Sequence, residues 1–454
     1  MELKIVKPGI NGEGIALLQK KPVFIPGVIP GETALVRITD ETERYAHGKC
    51  IRITSTSKDR RKPFCPWVKE CGGCALAHVS YERQLAWKQE LLQEALWKYG
   101  HVRESFIRPI RPSQEVLGYR SALKLPVQEV NGQAESGMYQ PGTNHFTPIE
   151  SCAVHDPKLE AVRRTVLAIL HEEHFPAYQD GHGLRFLVMR RIDSSISVAL
   201  ITGKDLLSET LIQKLSLLPE VVSIVQSVNT AKKFTRLFGS QVKVLYGEPS
   251  ITVTFASLTI TLTPESFFQL NLAQAEALYQ TAVSKIDPCN VLVEAYCGVG
   301  VMSLLARDRA RKVYGIEEVP GAIACAKRNA ALNRVPNTTF LCDDSARGLK
   351  KLLAERAVDT LLCDPPRAGL DQAMIDVILA SSIRKIVYVS CNPATLGKNI
   401  AALKQDYEVR TVIPFDLFPN TPHVESVTVL TRRGTSDRTI QKHRKKQHRQ
   451  KGAL

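Results

Sequence analysis

The sequence lacks any long apolar run. None of its 454 residues lies in a stretch that approaches the roughly 18 consecutive apolar residues of a membrane span. The first residues, MELKIVKPG, also lack the apolar core of a secretory signal peptide. These absences argue against a membrane protein and predict a cytoplasmic one. Because disulfides are rare in that compartment, the 11 cysteines indicate metal binding, catalysis or burial.

Acidic residues are the scarcer charged type, with 45 Asp and Glu against 60 Lys and Arg, and the net charge is +15. A strongly basic chain favours a polyanionic partner, RNA or DNA. Nothing in the sequence implies an obligate protein partner. The C-terminal residues 434–454 are predicted to form a disordered basic tail, which either binds phosphates or aids solubility.

The length of the chain predicts two or three domains. Short strands with recurring Gly and Pro predict a small β-barrel over residues 1–60. Mixed patterns predict an α+β domain over 61–262, with one long helix near its start whose Trp87 and Trp97 are expected in the core. Strands and helices alternate over 263–433, which predicts an α/β domain with a doubly wound, Rossmann-like parallel sheet.

Three closely spaced cysteines, Cys65, Cys71 and Cys74, predict a metal site. Their C-x5-C-x2-C spacing is hard to explain by packing alone, and Cys152 is a candidate fourth ligand. His78 could instead complete a Cys3His zinc site. Spacing alone leaves zinc and a [4Fe–4S] cluster both open, because soft thiolates suit either.

The Rossmann-like region carries a cofactor pattern. The first predicted strand runs into Gly298-Val-Gly300, where glycines let the backbone approach a ligand. Ser303 stands where the dinucleotide fingerprint has its third glycine, so the fingerprint is incomplete. The next strands end in Glu317, suited to ribose hydroxyls, and in Asp343, suited to an adenine amino group. The progression predicts an adenosine-bearing ligand.

The fourth strand ends in Asp364, and two prolines then fix a rigid turn before Arg367. A strand-end acid followed by two prolines is typical of class I methyltransferases that act on nucleic-acid bases. Dehydrogenases have no use for it. The turn therefore favours S-adenosylmethionine over a nicotinamide dinucleotide as the cofactor.

Cys391 ends the fifth strand, and Pro393 stops that strand from continuing. Alone, such a cysteine is more often a small buried residue than a nucleophile, and Glu425 alone would be a surface carboxylate. Uracil C5, however, reacts with a methyl sulfonium only after a thiolate adds to C6, and a base must then remove the C5 proton. That chemistry needs one cysteine and one base on opposite sides of a flipped pyrimidine.

Four motifs now identify a family resemblance, namely Ser266–Asn271 (SFFQxN), Asp364–Gly369 (DPPRxG), Ser390–Thr395 (SCNPxT) and His423–Glu425 (HVE). Over most of its length the chain resembles the bacterial RNA (uracil-5-)methyltransferases, specifically the iron–sulfur-containing branch that acts on 23S rRNA. The resemblance implies a class I methyltransferase domain, an N-terminal TRAM domain that binds RNA, and 5-methyluridine as the product.

The resemblance also assigns residues to roles. It implies that Cys391 is the nucleophile and Glu425 the general base. It implies a [4Fe–4S] cluster rather than zinc. The implied cluster ligands are Cys65, Cys71, Cys74 and Cys152. The implied contacts to the methyl donor are Gln269, Tyr296, Val301, Glu317, Asp343 and Asp364.

Three departures from the family pattern stand out. Glu294 replaces the usual Asp of the first strand, Val301 is apolar where some members are polar, and Asn420 and Pro422 vary the loop before His423. None of these positions belongs to the proposed catalytic pair.

Three rival functions remain. The first is methylation of uracil in the tRNA T-loop, although bacterial enzymes of that kind usually lack the barrel and the cysteine cluster. A cytosine-5 methyltransferase is less favoured, because RNA enzymes of that kind carry a cysteine beside an Asp-Ala-Pro turn, whereas here Arg367 follows Asp364-Pro-Pro. Cys363 precedes that Asp, but as part of the strand it should point elsewhere. A non-catalytic iron–sulfur RNA-binding factor would have no use for Cys391 and Glu425.

Overall fold

The computed structural model describes residues 1–232 and 236–434. The predicted basic tail lies, from residue 435 onward, outside the described residues. Within the described ranges, no helix combines the length and the apolar character of a membrane span.

The N-terminal strands close into a five-stranded barrel in the order β1-β2-β3-β5-β4. The strands are β1 Glu2–Pro8, β2 Gly14–Leu18, β3 Lys21–Ile25, β4 Thr33–Glu41 and β5 Ala46–Ser55. Buried apolar residues alternate with exposed ones, so Leu3, Ile5, Val23 and Ile25 fill the interior. The predicted barrel is confirmed.

The middle of the chain forms a second sheet of seven strands in the order β12-β11-β10-β9-β6-β7-β8. Its strands are β6 Ala122–Val130, β7 Gln133–Tyr139, β8 Phe146–Pro148, β9 Leu184–Ile192, β10 Ser195–Thr202, β11 Val221–Val228 and β12 Val242–Gly247. Helices α3 (Pro157–Glu172) and α4 (Glu209–Ser216) cover one face of this sheet. The short helix α1 (Val68–Cys71) and the long helix α2 (Tyr81–Gly100) precede it.

The C-terminal region is a doubly wound sheet of seven strands in the order β17-β16-β15-β18-β19-β21-β20. The hairpin strands β13 Ile251–Phe255 and β14 Leu258–Leu262 come before it. Its strands are β15 Cys289–Ala295, β16 Ala310–Glu317, β17 Thr338–Cys342, β18 Thr360–Cys363, β19 Lys385–Ser390, β20 Tyr407–Phe415 and β21 Glu425–Arg432. Strands β15 to β19 are parallel, and β21 is antiparallel to both of its neighbours.

Helices cover both faces of this C-terminal sheet. The helices are α5 Leu272–Ser284, α6 Val301–Leu305, α7 Pro320–Leu332, α8 Ser345–Glu355, α9 Gln372–Ala380 and α10 Pro393–Leu403. One face carries α5, α6, α7 and the β13–β14 hairpin, and the other carries α2, α8, α9 and α10. The class I fold predicted from the alternating pattern is confirmed, and the strand ends of interest share one edge.

Helix α2 packs against the C-terminal sheet rather than the central one. Leu92 and Leu96 belong to the same apolar core as the residues of α8 to α10. Gly397 of α10 lets the helices approach, because a Cβ there would lie 2.9 Å from the Cβ of Tyr99. Helix α2 therefore lies within the predicted central domain, residues 61–262, in sequence, although its apolar face packs against the C-terminal sheet.

The two tryptophans of α2 lie in different surroundings. Trp87 is fully buried, and its indole Nε1 donates to the carbonyl oxygen of Gly9 at 3.3 Å. Trp97 is 61% exposed, so the expectation that it joins the core is wrong. At 3.6 residues per turn, positions ten residues apart lie about 80° apart around a helix. The second indole therefore points away from the buried face.

Candidate active site

The carboxyl edge of the C-terminal sheet brings two of the predicted site residues together. Ala295, Cys363 and Tyr388 are paired neighbours on β15, β18 and β19. Asp364 and Cys391 follow these strands, so they emerge at the same edge. In open α/β sheets this edge is where ligands bind.

Strand β21 brings Glu425 to the same place from the far end of the sequence. Ser390 of β19 is paired with Ser426 of β21, so the next position along the antiparallel ladder sets Cys391 beside Glu425. Burial, followed by the charges of Glu425 and Asp364, raises the pKa of the Cys391 thiol to about 12. Cys391 as a whole residue is half-buried.

A rigid turn holds Cys391 between its strand and α10. The Asn392 side chain caps α10 by accepting from the backbone N–H of Ala394 at 3.1 Å, and Pro393 takes the first helical position. The Asn392 amide nitrogen donates to the carbonyl oxygen of Arg367 at 3.2 Å. The cysteine turn and the Asp-Pro-Pro-Arg turn are therefore joined directly.

Three acids at this edge have strongly raised pKa values. Burial raises the pKa of Asp364 to about 7, and burial together with Asp364 raises that of Glu425 to about 8. Arg367 opposes the shift at Glu425. Burial also raises the pKa of Glu294 to about 8, against a hydrogen bond that the Ser303 hydroxyl donates to it. Such a concentration of perturbed carboxyls is typical of a functional site.

The glycine loop after β15 forms an open cradle. Glu317 accepts from the backbone N–H of Gly298 at 3.2 Å and from that of Val319 at 3.0 Å. A Cβ on Gly298 would meet no atom within 4 Å, so the space above the loop is free. Tyr296 has a left-handed backbone, with φ of 62°, and its N–H donates to the Ser345 hydroxyl at 3.2 Å. An acid beneath an open glycine loop fits an adenosine-bearing ligand.

Two predicted donor contacts are placed less directly. Val301 is buried in the core at the start of α6, so only its backbone faces the loop. Arg347 and Lys351 both bind the Asp343 carboxylate, the latter at 2.7 Å, and lower its pKa to about 2. The Asp343 side chain is thus occupied by cations rather than turned toward an adenine site.

Two residues to which the sequence assigned no role, Tyr279 and Arg367, also join the site. The buried Gln269 hydrogen-bonds to Tyr279, and Asp364 and Glu425 both raise the pKa of that buried phenol after the larger effect of burial. Arg367 contacts His423, with 3.5 Å between Nη2 and Nδ1. Arg367 stood in a recognised motif, whereas no local signal marked Tyr279, which looks like any buried helical residue.

The four predicted metal-ligand cysteines converge on one another. After the larger effect of burial, the charge of Cys152 raises the pKa of Cys65, Cys71 and Cys74, although Cys152 is distant in sequence. The Arg120 guanidinium opposes this shift at Cys71 and Cys74. All four thiols therefore share one neighbourhood.

The side chains of this group are not in a metal-ready arrangement. Across residues 1–232 and 236–434, no group of three or more Cys, His, Asp or Glu lies in positions that could hold a metal ion. The donor set nonetheless suits a soft metal cluster, and Arg120 Nε is buried without a hydrogen-bond partner among the described residues. An anionic thiolate cluster would neutralise that cation.

Comparison with known proteins gives the class of enzyme. Residues 80–433 match the family described as tRNA (Uracil-5-)-methyltransferase, and residues 1–51 match the TRAM domain. An uncharacterized RNA methyltransferase of Halalkalibacterium halodurans is 35% identical over 432 residues, covering 92% of this chain and 94% of that protein. One from Enterococcus faecalis is 33% identical over 446 residues, covering 95% of this chain and 98% of that protein.

A solved structure is similar over nearly the whole chain. The Pyrococcus abyssi tRNA (uracil-54, C5)-methyltransferase, in complex with S-adenosyl-L-homocysteine, superposes with a TM-score of 0.76 at 25% identity. The match covers 95% of this chain and all of that one. Fold, site and relatives together define an S-adenosylmethionine-dependent RNA methyltransferase. The chain belongs to the tRNA (uracil-5-)-methyltransferase family.

The raised pKa of Glu294 predicts a pH-dependent stability difference between the wild type and Glu294→Gln. The pKa of Glu294 is about 8 in the folded chain against 4.5 for an unperturbed Glu. Between these values the unfolded chain releases the proton first, so the wild type loses stability as the pH rises. Glutamine does not titrate. From pH 5 to pH 8 the variant should therefore gain about 2 kcal/mol or more relative to the wild type, measured by urea unfolding.

The matched control is Glu129→Gln, which changes an exposed glutamate on β6. Its stability difference from the wild type should stay flat over the same pH range. A flat difference for Glu294→Gln as well would contradict a protonated carboxyl at that position.

Proposed function

We propose that this chain methylates C5 of uridine in 23S rRNA, with Cys391 as the nucleophile and Glu425 as the general base. The supporting observation is the ladder between β19 and β21, which sets the Cys391 thiol beside the Glu425 carboxyl at the ligand-binding edge. Asp364 stands close enough to raise the pKa of both groups. Substitution at C5 of a pyrimidine requires both a nucleophile and a base at the same site.

The reaction begins at Cys391. The thiol loses its proton to solvent, and the thiolate sulfur forms a bond to uracil C6, which pushes the C5–C6 π electrons toward C5 and the O4 carbonyl. When bound, S-adenosylmethionine supplies a methyl group on a positively charged sulfur, which the electron-rich C5 can attack. Arg367 favours the thiolate, because its positive charge lowers the pKa that burial raises.

Glu425 completes the reaction. Its carboxylate takes the proton from the methylated C5, the electrons of that C–H bond re-form the C5–C6 double bond, and the C6–sulfur bond breaks to release the Cys391 thiolate. Only the ionised carboxylate can accept this proton. A pKa near 8 makes Glu425 a stronger base than an exposed glutamate at neutral pH.

The remaining site residues would bind the methyl donor and shape the pocket for a flipped base. Glu317 beneath the open glycine loop supports a ribose contact. Asp364 raises the pKa of both Cys391 and Tyr279, and Gln269 hydrogen-bonds to that tyrosine. We assign the donor contacts to Gln269, Tyr296, Val301, Glu317, Asp343 and Asp364. For Val301 and Asp343 the contact would come from the backbone, because their side chains are otherwise engaged.

The substrate assignment to 23S rRNA, in the cytoplasm, rests on the cysteine group and on the resemblance to the iron–sulfur branch. The second candidate is tRNA. It is favoured by the likeness to the Pyrococcus abyssi enzyme, which acts on uracil 54 of tRNA. Both substrates are structured RNAs and both suit a basic chain with a TRAM domain.

We propose that Cys65, Cys71, Cys74 and Cys152 hold a [4Fe–4S] cluster. Their shared neighbourhood and the unsatisfied, buried Arg120 Nε support this assignment. The rival Cys3His zinc site would require His78. The charges that act on His78 are those of Arg60 and Glu32, and burial lowers its pKa to about 4.

Replacing the catalytic pair should give two different defects. The wild type should be trapped covalently on RNA that contains 5-fluorouridine, because fluorine at C5 cannot leave as a proton. Cys391→Ala should abolish both methylation and this trapping, because it lacks the thiol that bonds to C6. Glu425→Gln should slow turnover by about 100-fold or more and accumulate a covalent adduct with ordinary uridine RNA. Gel shifts under denaturing conditions measure both adducts. Cys50→Ala, on the barrel, serves as the control and should behave like the wild type.

A fully active Cys391→Ala protein would contradict the nucleophile assignment and favour a different chemistry. Fast turnover of Glu425→Gln without an adduct would remove that residue from the base role.

The substrate should be identified by mapping 5-methyluridine in 23S rRNA and in tRNA from cells with and without the gene. Without the gene, we expect the modification to be lost at one or more 23S positions and to be unchanged in tRNA. The purified protein should restore it on deproteinised rRNA. Loss confined to tRNA would instead support the second candidate.

The cluster should be visible in anaerobically purified protein. We expect a brown colour and about four irons per chain. Cys74→Ser should lose the iron and the visible absorption, whereas Cys50→Ser should keep both. Stoichiometric zinc without iron would contradict the cluster and favour the Cys3His alternative.

A further inference from the structure

The chain enters β21 through a loop, residues 416–424, that we term the base loop because it ends at Glu425. Most of the base loop is buried, including Asp416, Leu417 and Asn420. A buried loop must find partners for its backbone polar groups. Most of these partners come from a distant part of the chain, residues 76–119, and Asn271 donates to the carbonyl oxygen of Leu417 at 3.2 Å.

Asn420 makes several hydrogen bonds from within the base loop. It has a left-handed backbone with φ of 67°. Its backbone N–H donates to Gln84 Oε1 at 2.8 Å, and Gln84 Nε2 donates to its side-chain oxygen at 3.1 Å. Its carbonyl oxygen accepts from the backbone N–H of Leu76 at 2.9 Å, and its amide nitrogen donates to the carbonyl oxygen of Val116 at 2.8 Å. Every polar group of this residue is therefore held.

The start of the base loop is held by an ion pair without solvent contact. Lys88 and Asp416 are both fully buried and paired through Nζ and Oδ1. Lys88 also donates to the carbonyl oxygen of Phe418 at 3.0 Å, and Tyr119 donates to that of Pro419 at 3.0 Å. Removing one partner of such a pair strands a buried charge, so the arrangement permits little alternative geometry.

The elements that hold the base loop adjoin the cysteine group. Leu76 follows Cys74 by two residues, and Tyr119 precedes Arg120, whose guanidinium is next to Cys74 and Cys152. The cysteine-bearing segment thus makes direct hydrogen bonds to the loop that leads into Glu425. Cys391, by contrast, follows β19, an inner strand of the C-terminal sheet between β18 and β21.

We propose that Gln84 is a positioning residue for Glu425, acting through its paired amide contact with Asn420. Gln84 is 2% exposed and its Nε2 also donates to the carbonyl oxygens of Leu76 and Val79, at 3.2 and 3.0 Å. It ties the cysteine-bearing segment, the start of α2 and the base loop together at one point. This inference rests on the proposed role of Glu425 and adds that the N-terminal half of the chain sets the geometry of proton removal.

The proposal predicts a selective defect. Displacing a catalytic group by about 1 Å can cost roughly 100-fold in rate. Loss of the Gln84 contact should therefore slow removal of the C5 proton, while attack by Cys391 and methyl transfer continue. Trapping by 5-fluorouridine RNA needs only those first two steps, because no proton leaves from a fluorinated C5.

The test compares Gln84→Met, which keeps side-chain volume, with Gln93→Met on the same helix. The Gln93 amide donates to Glu104 at 2.9 Å, far from the base loop, so its replacement is the matched control. Asn420→Gly is the second variant, since glycine tolerates the left-handed backbone and removes only the amide side chain. Thermal unfolding and iron content confirm that each full-length protein is folded and loaded.

For Gln84→Met and Asn420→Gly we expect turnover on uridine RNA to fall 10- to 100-fold. We expect the covalent adduct to accumulate, as for Glu425→Gln, while the rate of 5-fluorouridine trapping stays within about twofold of the wild type. Gln93→Met should match the wild type in all three measurements. Should one of the two variants fail to fold, the other decides.

Two results would overturn the positioning role. One is unchanged turnover in the folded variants. The other is an equal loss of trapping and turnover, which would indicate general damage to the site. Failure of the proposed function itself is recognised separately, because the wild type would then not trap 5-fluorouridine RNA or Glu425→Gln would not accumulate an adduct.

Discussion

The antiparallel ladder between β19 and β21 is the contact on which the candidate site depends. Its register pairs Ser390 with Ser426, and a side-chain period of two residues means that a shift by one position would turn Glu425 away from Cys391. Strand β18 pairs with the other edge of β19, and Asp364 at its end raises the pKa of both groups. One hydrogen-bonded register therefore decides whether a thiol and a carboxyl meet at all.

Burial is the second constraint, and it acts against the ionised forms that the proposed chemistry uses. The pKa values of Cys391, Asp364 and Glu425 are all raised, with desolvation as the largest cause. Arg367 is the nearby cation that opposes this shift at Cys391 and Glu425. A carboxyl group whose pKa is raised by burial is a stronger base once it ionises. The proposed removal of a proton from carbon needs such a base.

Much of the fold was predictable from local pattern. The strand ends predicted at Glu317, Asp343, Asp364 and Cys391 lie within about one residue of those observed, because β-branched runs bordered by turns leave few alternatives. The motif residues at the strand ends were likewise predictable. The exposure of Trp97 was not predictable, because one apolar residue on a helix does not show which face of the helix other elements cover. Asp343 was expected at the adenine site, yet Arg347 and Lys351 one and two turns later on α8 bind its carboxylate.

The order of elements, the residues that end each strand and the chemistry that those residue types allow can all be read from the local sequence. Local periodicity and turn preferences act over a few residues, so these features needed no knowledge of distant contacts. The three-dimensional packing was needed to bring Glu425 beside Cys391, Cys152 to the other three thiols, and Gln84 to Asn420. These are contacts between segments far apart in the chain, and they follow from which apolar faces pack together.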